Sequence, residues 1–253
     1  MCSGARRYGS PPSTCIPPAI ALAKVRRNVM YPAMSSASAF TSSTVGKKVL
    51  MAVSGVILFG FVFMHMLGNA QVFLPDGFRR LTDYGHLLRV IPELLWIARI
   101  VLFLSVVTHI VTAVQLTRIQ RAARPIAYHA KAVVQATYAS RTMMLSGPLL
   151  LAFVIFHLMN LTFGNAHPDF VEGDAGHNFQ VAFQSVPTSL FYIVSMLALA
   201  YHLSHGAWSL FQTLGFNHPK YNKGVRNFAR GATFIIVAMN ILMPLAVMTG
   251  VLK

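Results

Sequence analysis

Residues 54–65, SGVILFGFVFMH, and residues 146–157, SGPLLLAFVIFH, are two versions of one pattern. Each is an apolar run of helical length that opens on a Ser-Gly pair and closes on a histidine, with the same separation between them. Two further apolar runs contain His109 and His202. An ionisable ring inside a run long enough to cross a bilayer marks a functional position, because hydrocarbon disfavours it unless something compensates.

Composition fixes the class. Charged residues make up 11% of the 253, the mean hydropathy is positive, and several runs approach the roughly twenty apolar residues that a spanning helix requires. The runs are continuous rather than alternating, so the expected fold is all-α, an integral membrane bundle and not a barrel. The formal charge of +15 then reports orientation and contact with anionic lipid before it reports nucleic acid. Cys2 and Cys15 lie in the N-terminal arm, outside any C-x-x-C-H haem-attachment motif.

Residues 1–43 are rich in Ser, Ala, Pro and Arg and hold no acid, the pattern of a disordered basic arm. An organellar transit segment, or a true start at Met34, reads the same stretch equally well. Residues 44–253 form the membrane domain, with spans expected at about 49–72, 94–116, 143–163, 188–211 and 228–251. Lys47 and Lys48 precede the first span. Arg118, Arg121, Arg124, Lys131 and Arg141 lie between the second and third, and Lys220, Lys223, Arg226 and Arg230 between the fourth and fifth. All six acids (Asp76, Asp83, Glu93, Asp169, Glu172, Asp174) fall in the other two loops, although Arg79, Arg80 and Arg89 share the first of these. By the positive-inside rule the N-terminus is cytoplasmic, in a multi-pass protein of the inner (cytoplasmic) membrane.

The histidines then sort by depth. At about 1.5 Å per residue, His65 lies about 24 Å up the first span and His157 about 21 Å up the third, both towards the outer face of a core about 30 Å thick. His109 and His202 lie about 21 to 23 Å down their descending spans, towards the inner face. Two histidines at each of two levels is the arrangement for two bis-histidine haems about 12 to 15 Å apart, an outer one on His65 and His157 and an inner one on His109 and His202. With both axial positions filled, electron transfer is the natural task. His205, three residues from His202, occupies a neighbouring helix position, and depth only slightly favours His202.

Gly55 and Gly147 each fall about 15 Å from the histidine of their own helix, at the level of the opposite haem. A residue without a side chain lets a flat macrocycle approach, and it equally lets helices pack closely. Arg99, at the outer level, reads either as a propionate partner or as a side chain snorkelling to the interface. His86, in Tyr84-Gly85-His86, reads as a solvated loop histidine or as a contact to a quinone or a haem edge. His129, His167, His177 and His218 fall in loops and carry no assignment.

Met51-AVSG-Val56 leading to Phe63-Met64-His65 and Gly68-Asn69, Ser140-Arg141-Thr142-Met143 leading to Phe156-His157-Leu158, and the block from Tyr201 to Ser209 followed by Gln212 to Gly215 carry a resemblance. From about Val45 onward the chain resembles the single-chain, five-helix, two-haem cytochrome b subunit of succinate:quinone oxidoreductases, the type shared by succinate dehydrogenases and fumarate reductases. That resemblance implies axial ligation by His65, His109, His157 and His202, one from each of the first four helices, and it selects His202 over His205. It also implies two b haems, a quinone (menaquinone or ubiquinone) as substrate, and a flavoprotein subunit and an iron-sulfur subunit docked on the cytoplasmic side. Where some relatives place polar residues for the inner propionates this chain has Met51 and Thr213, which leaves Lys47, Lys48 or Arg141 for that role.

Two other functions fit the composition. A dihaem cytochrome of another oxidoreductase is one, although no helix here carries two ligands about four turns apart. A haem-free transporter with a histidine relay is the other, although the repeat is not inverted and no broken helices are evident.

Overall fold

Ser43 sets the entry to the first long helix. Its Oγ accepts from the Gly46 amide at 2.9 Å and donates to the Phe40 carbonyl at 2.8 Å, closing a short helix α1 (Ser36–Ser42) and opening α2 (Thr44–Asn69). A single 3₁₀ turn (Ala70–Phe73) follows, then α3 (Gly77–Leu87), α4 (Pro92–Ala122), α5 (Tyr138–Leu161), α6 (Ala175–Gln184), α7 (Val186–Thr213) and α8 (Pro219–Met248). The computed structural model describes residues 36–123, 138–167 and 169–252, all helix or connection with no strand among them. The chain divides after Ala39. Most of the expected arm, together with Arg124, His129 and Lys131, lies outside the described residues, and the last stretch of the arm is α1.

Five helices are long and apolar enough to cross a membrane: α2 with its 3₁₀ extension, α4, α5 from Arg141, α7 and α8. They overrun the spans read from hydropathy, most clearly at the basic ends. The helix of α4 continues through Arg118 and Arg121, and α8 begins at Pro219 rather than near Phe228. Hydropathy detects the apolar stretch alone, whereas Lys, Arg and Gln are good helix formers and a proline at the first helical position is already shaped for the start. Phe103, Leu145 and Phe234 are 68%, 73% and 74% exposed, as befits helices whose outer faces meet lipid chains.

Both acid-bearing connections, expected to be loops, contain helices. Alone, helices as short as α3 and α6 are marginal, and packing on each other supplies what propensity does not. Phe78 meets Phe179 with ring centres 6.4 Å apart, and a Cβ added to Gly176 would stand 2.1 Å from the Phe78 carbonyl oxygen, so only glycine admits this approach. Asp174 caps α6 by accepting from the His177 amide at 3.0 Å, and it receives the Thr82 hydroxyl of α3 at 2.6 Å. The Asp174 carboxyl is held below its ordinary range, first by that hydroxyl and then by the His177 amide.

The buried cluster sits at this end of the bundle. Met66 and Val72, Leu81, Phe179 and Phe183, Tyr192, and Ile236, Met243 and Val247 converge from α2 and its extension, α3, α6, α7 and α8. Among the long helices the close backbone neighbours are α2 with α4, α5 with α7 and α7 with α8, and α2 also touches α7 and α8. Neither α2 with α5 nor α4 with α7 packs in this way. Those two loosely joined pairs are the ones that carry the facing histidines.

Candidate functional site

The rings of His65 on α2 and His157 on α5 stand 5.7 Å apart, centre to centre and edge-on. Those of His109 on α4 and His202 on α7 stand 6.2 Å apart. Two levels therefore exist, one near the end of α2 and one near its beginning, and each bridges helices whose backbones stay apart. With a metal to imidazole-nitrogen bond of about 2 Å, two rings on one ion have centres about 6 Å apart, so both spacings fit bis-imidazole ligation. His202, not His205, is the ring that faces His109.

The polar neighbours fix which ring nitrogen is free. The Ser54 hydroxyl donates to the carbonyls of Leu50 and Met51, at 2.9 and 3.0 Å, so its remaining lone pair receives the Nδ1–H of His109 at 3.3 Å. The Met51 carbonyl faces the same ring. In the second copy of the pattern, the Ser146 hydroxyl donates to the Met143 carbonyl at 3.4 Å and lies 3.4 Å from Nδ1 of His202. At the other level, the Tyr192 hydroxyl donates to Asn160 Oδ1 at 3.4 Å and receives Nδ1–H of His157 at 3.2 Å. For His109 and His157 the proton is thereby assigned to Nδ1, which leaves Nε2 with a lone pair that could bind a metal, and the Ser146 contact admits the same tautomer for His202. His65 differs: its Nε2 accepts from the Asn69 amide at 3.1 Å. Ligation through that atom requires Asn69, the last residue of α2, to let go.

Gly55 backs onto the His109 ring, where an added Cβ would come within 3.6 Å of Cε1, an ordinary contact. An added Cβ on Gly147 would meet nothing within 4 Å. Both glycines lie on the turn that holds the serine for the His109/His202 level, and the protein's own packing demands neither of them. A cavity of about 490 Å³ opens between the end of α1, α2 and α4, with Ser42, Lys47, Leu50, Thr108, Val111 and Thr112 in its lining.

The other expected site residues have the following surroundings. Arg99 is exposed and lies over the Trp96 ring of its own helix at 5.1 Å. The Lys47 ammonium binds the carbonyls of Thr41 and Ser42, the end of α1, while Lys48 and Arg141 are exposed. His86 belongs to α3 rather than to a loop. His167, unassigned from sequence, is 9% exposed and ties the loop before α6 together, pairing with the Asn178 carbonyl and accepting from the Asp169 amide.

The residues missed from sequence are the hydroxyls and amides around the rings: Ser54, Ser146, Tyr192, Asn69 and Asn160. For the serines a signal exists, because in both copies the serine precedes its helix's histidine by the same eleven residues. About 16 Å of rise then separates the two, enough to carry one helix from one histidine level to the other.

No protein-family model, curated protein or solved structure matches the chain.

Proposed function

We propose that the chain is a membrane anchor and electron-transfer subunit of a succinate:quinone oxidoreductase, holding two b-type haems on His65/His157 and His109/His202. The observation that carries this reading is the double pairing of histidines on helices that otherwise stand apart. Among the described residues, no third His, Cys, Asp or Glu joins either pair. A bare ion such as zinc is ordinarily held by three or four protein donors, whereas a haem iron takes its in-plane donors from the macrocycle and needs only two axial rings.

When bound, the haems would supply one-electron redox chemistry. The chain's own contribution is to hold four neutral imidazoles and to keep water out. Ser54, Ser146 and Tyr192 keep three Nε2 atoms deprotonated and oriented, and Phe153 and Phe156 pack around the His157/Tyr192 contact. The unshielded backbone at Gly147 and the separation of α4 from α7 leave room for a flat group.

The resemblance described above supplies the partners. A flavoprotein subunit and an iron-sulfur subunit dock at the basic end, where Arg118, Arg121, Lys220, Lys223, Arg226 and Arg230 collect, and membrane quinone exchanges electrons with the chain. This end is cytoplasmic by the positive-inside rule. Purification of the intact complex from its membrane in mild detergent tests the reading. We expect two companion subunits, one with flavin and one with iron-sulfur clusters, and succinate-dependent reduction of a soluble quinone. Haem-loaded protein with companions of another class would reassign it to a different respiratory complex, and a colourless protein would revive a histidine-relay transporter.

A further inference from the structure

The repeated Ser-Gly pair has a use that neither helix packing nor axial ligation explains. On α2, Ser54 lies at the level of His109 and His202 while the same helix sends His65 to the other level. On α5, Ser146 lies at the level of His202 while His157 goes to the other. Each of these helices therefore gives a ring to one level and a hydroxyl to the other. The receiving rings sit on α4 and α7.

We propose that Ser54 and Ser146 are paired positioning residues for the His109/His202 centre, each accepting Nδ1–H from one axial imidazole and so setting the tautomer, orientation and basicity of both ligands. This inference rests on the haem reading of the two pairs. Both serines are buried, at 4% and 5% exposure, so water does not replace them as acceptors. Ser54 spends its own proton on a carbonyl of its own helix, at 2.9 and 3.0 Å, which leaves its oxygen to accept, and Ser146 has the same pair of neighbours, the Met143 carbonyl and His202 Nδ1, each at 3.4 Å. An Nδ1–H held by an acceptor makes the imidazole a stronger donor and favours ferric iron. The two centres are thus built differently. The His109/His202 centre has a serine on each ring, whereas the other has Tyr192 on His157 and Asn69 at Nε2 of His65.

The test is a spectroscopically resolved redox titration of the full chain, with haem content per chain and the low-temperature spin-resonance signal of each centre. Ser54→Ala is expected to raise the midpoint potential of the His109/His202 component, to move its axial-ligand signal, and to weaken haem retention there about 10- to 100-fold. The other component is expected to stay where it is. Ser54→Thr, which keeps the hydroxyl, is expected to restore both readouts, and Ser146→Ala to repeat the effect through His202. Ser105→Ala is the control, because Ser105 is equally buried in α4 but bonded to the Val101 carbonyl of its own helix. Wild type with two haems and an unmoved Ser54→Ala component would overturn the inference alone, as would equal shifts in both components. A wild-type chain without haem would overturn the haem reading, and the inference with it.

Discussion

The Tyr192 hydroxyl stands 3.2 Å from Nδ1 of His157, joining α7 to α5 inside the packed end of the bundle. Its aromatic ring is wedged edge-on between Phe153 and Phe183, with centres 5.1 and 4.8 Å away. Tyr192→Phe keeps that packing and deletes the acceptor. The expected cost is about 1 kcal/mol of stability, the ordinary worth of a buried hydrogen bond. A redox titration should show the His65/His157 component at a higher potential and the other unmoved.

Pairing by level is tested by single deletions. His109→Ala is expected to remove the His109/His202 component and leave one haem per chain, and His157→Ala to remove the other. Difference spectra at low temperature resolve the two. Loss of the same component in both variants would contradict the pairing.

Gly147 separates the two readings of the glycines. Since an added Cβ there meets nothing within 4 Å, Gly147→Leu is tolerated by the protein's own atoms. If a macrocycle lies against this backbone, the variant keeps its helical circular dichroism and its His65/His157 component but loses at least half of the other. Undiminished haem at both levels would leave the glycine a packing residue.

At the other end, acid should loosen the α3–α6 clip. Asp174 is held below the ordinary carboxylate range by the Thr82 hydroxyl and the His177 amide. Its contribution is therefore fully present above the unfolded carboxylate pKa of about 4 and is lost as pH falls through the lowered folded value. Protection of residues 77–87 and 175–184 against hydrogen exchange, relative to the intrinsic rate, is expected to fall in that acidic window. Asp174→Ala should bring the same loss of protection to neutral pH at a cost of about 1 kcal/mol, as for other helix caps. Exchange independent of Asp174 would show that the clip is held by Phe78 and Phe179 alone.

Much of the bundle is legible in the sequence because lipid imposes a simple code. Five continuous apolar runs, interrupted by loops of segregated charge, give five helices, and a fixed rise per residue turns positions into depths. By that arithmetic His65 shares a level with His157 and His109 with His202, and these are the rings that face each other. Less legible is whatever depends on partners far away in the chain. The helices α3 and α6 are too short to announce themselves and exist through Gly176 and the Thr82–Asp174 contact. Arg99 has the depth of a propionate partner, but depth does not distinguish that role from a side chain snorkelling to the interface; its guanidinium lies over Trp96. Ser54 and Ser146 read as small packing residues because their acceptor role becomes visible only when α4 and α7 bring His109 and His202 alongside.

The most direct measurement is a reduced-minus-oxidised optical spectrum with haem quantification on the detergent-purified chain, wild type beside the His65→Ala/His109→Ala double variant. Two b-type haems per wild-type chain are expected, with α-band components that titrate separately, and none in the double variant. A wild-type chain with no haem, or a double variant that retains both, would contradict the claim that these two histidine pairs are its ligands.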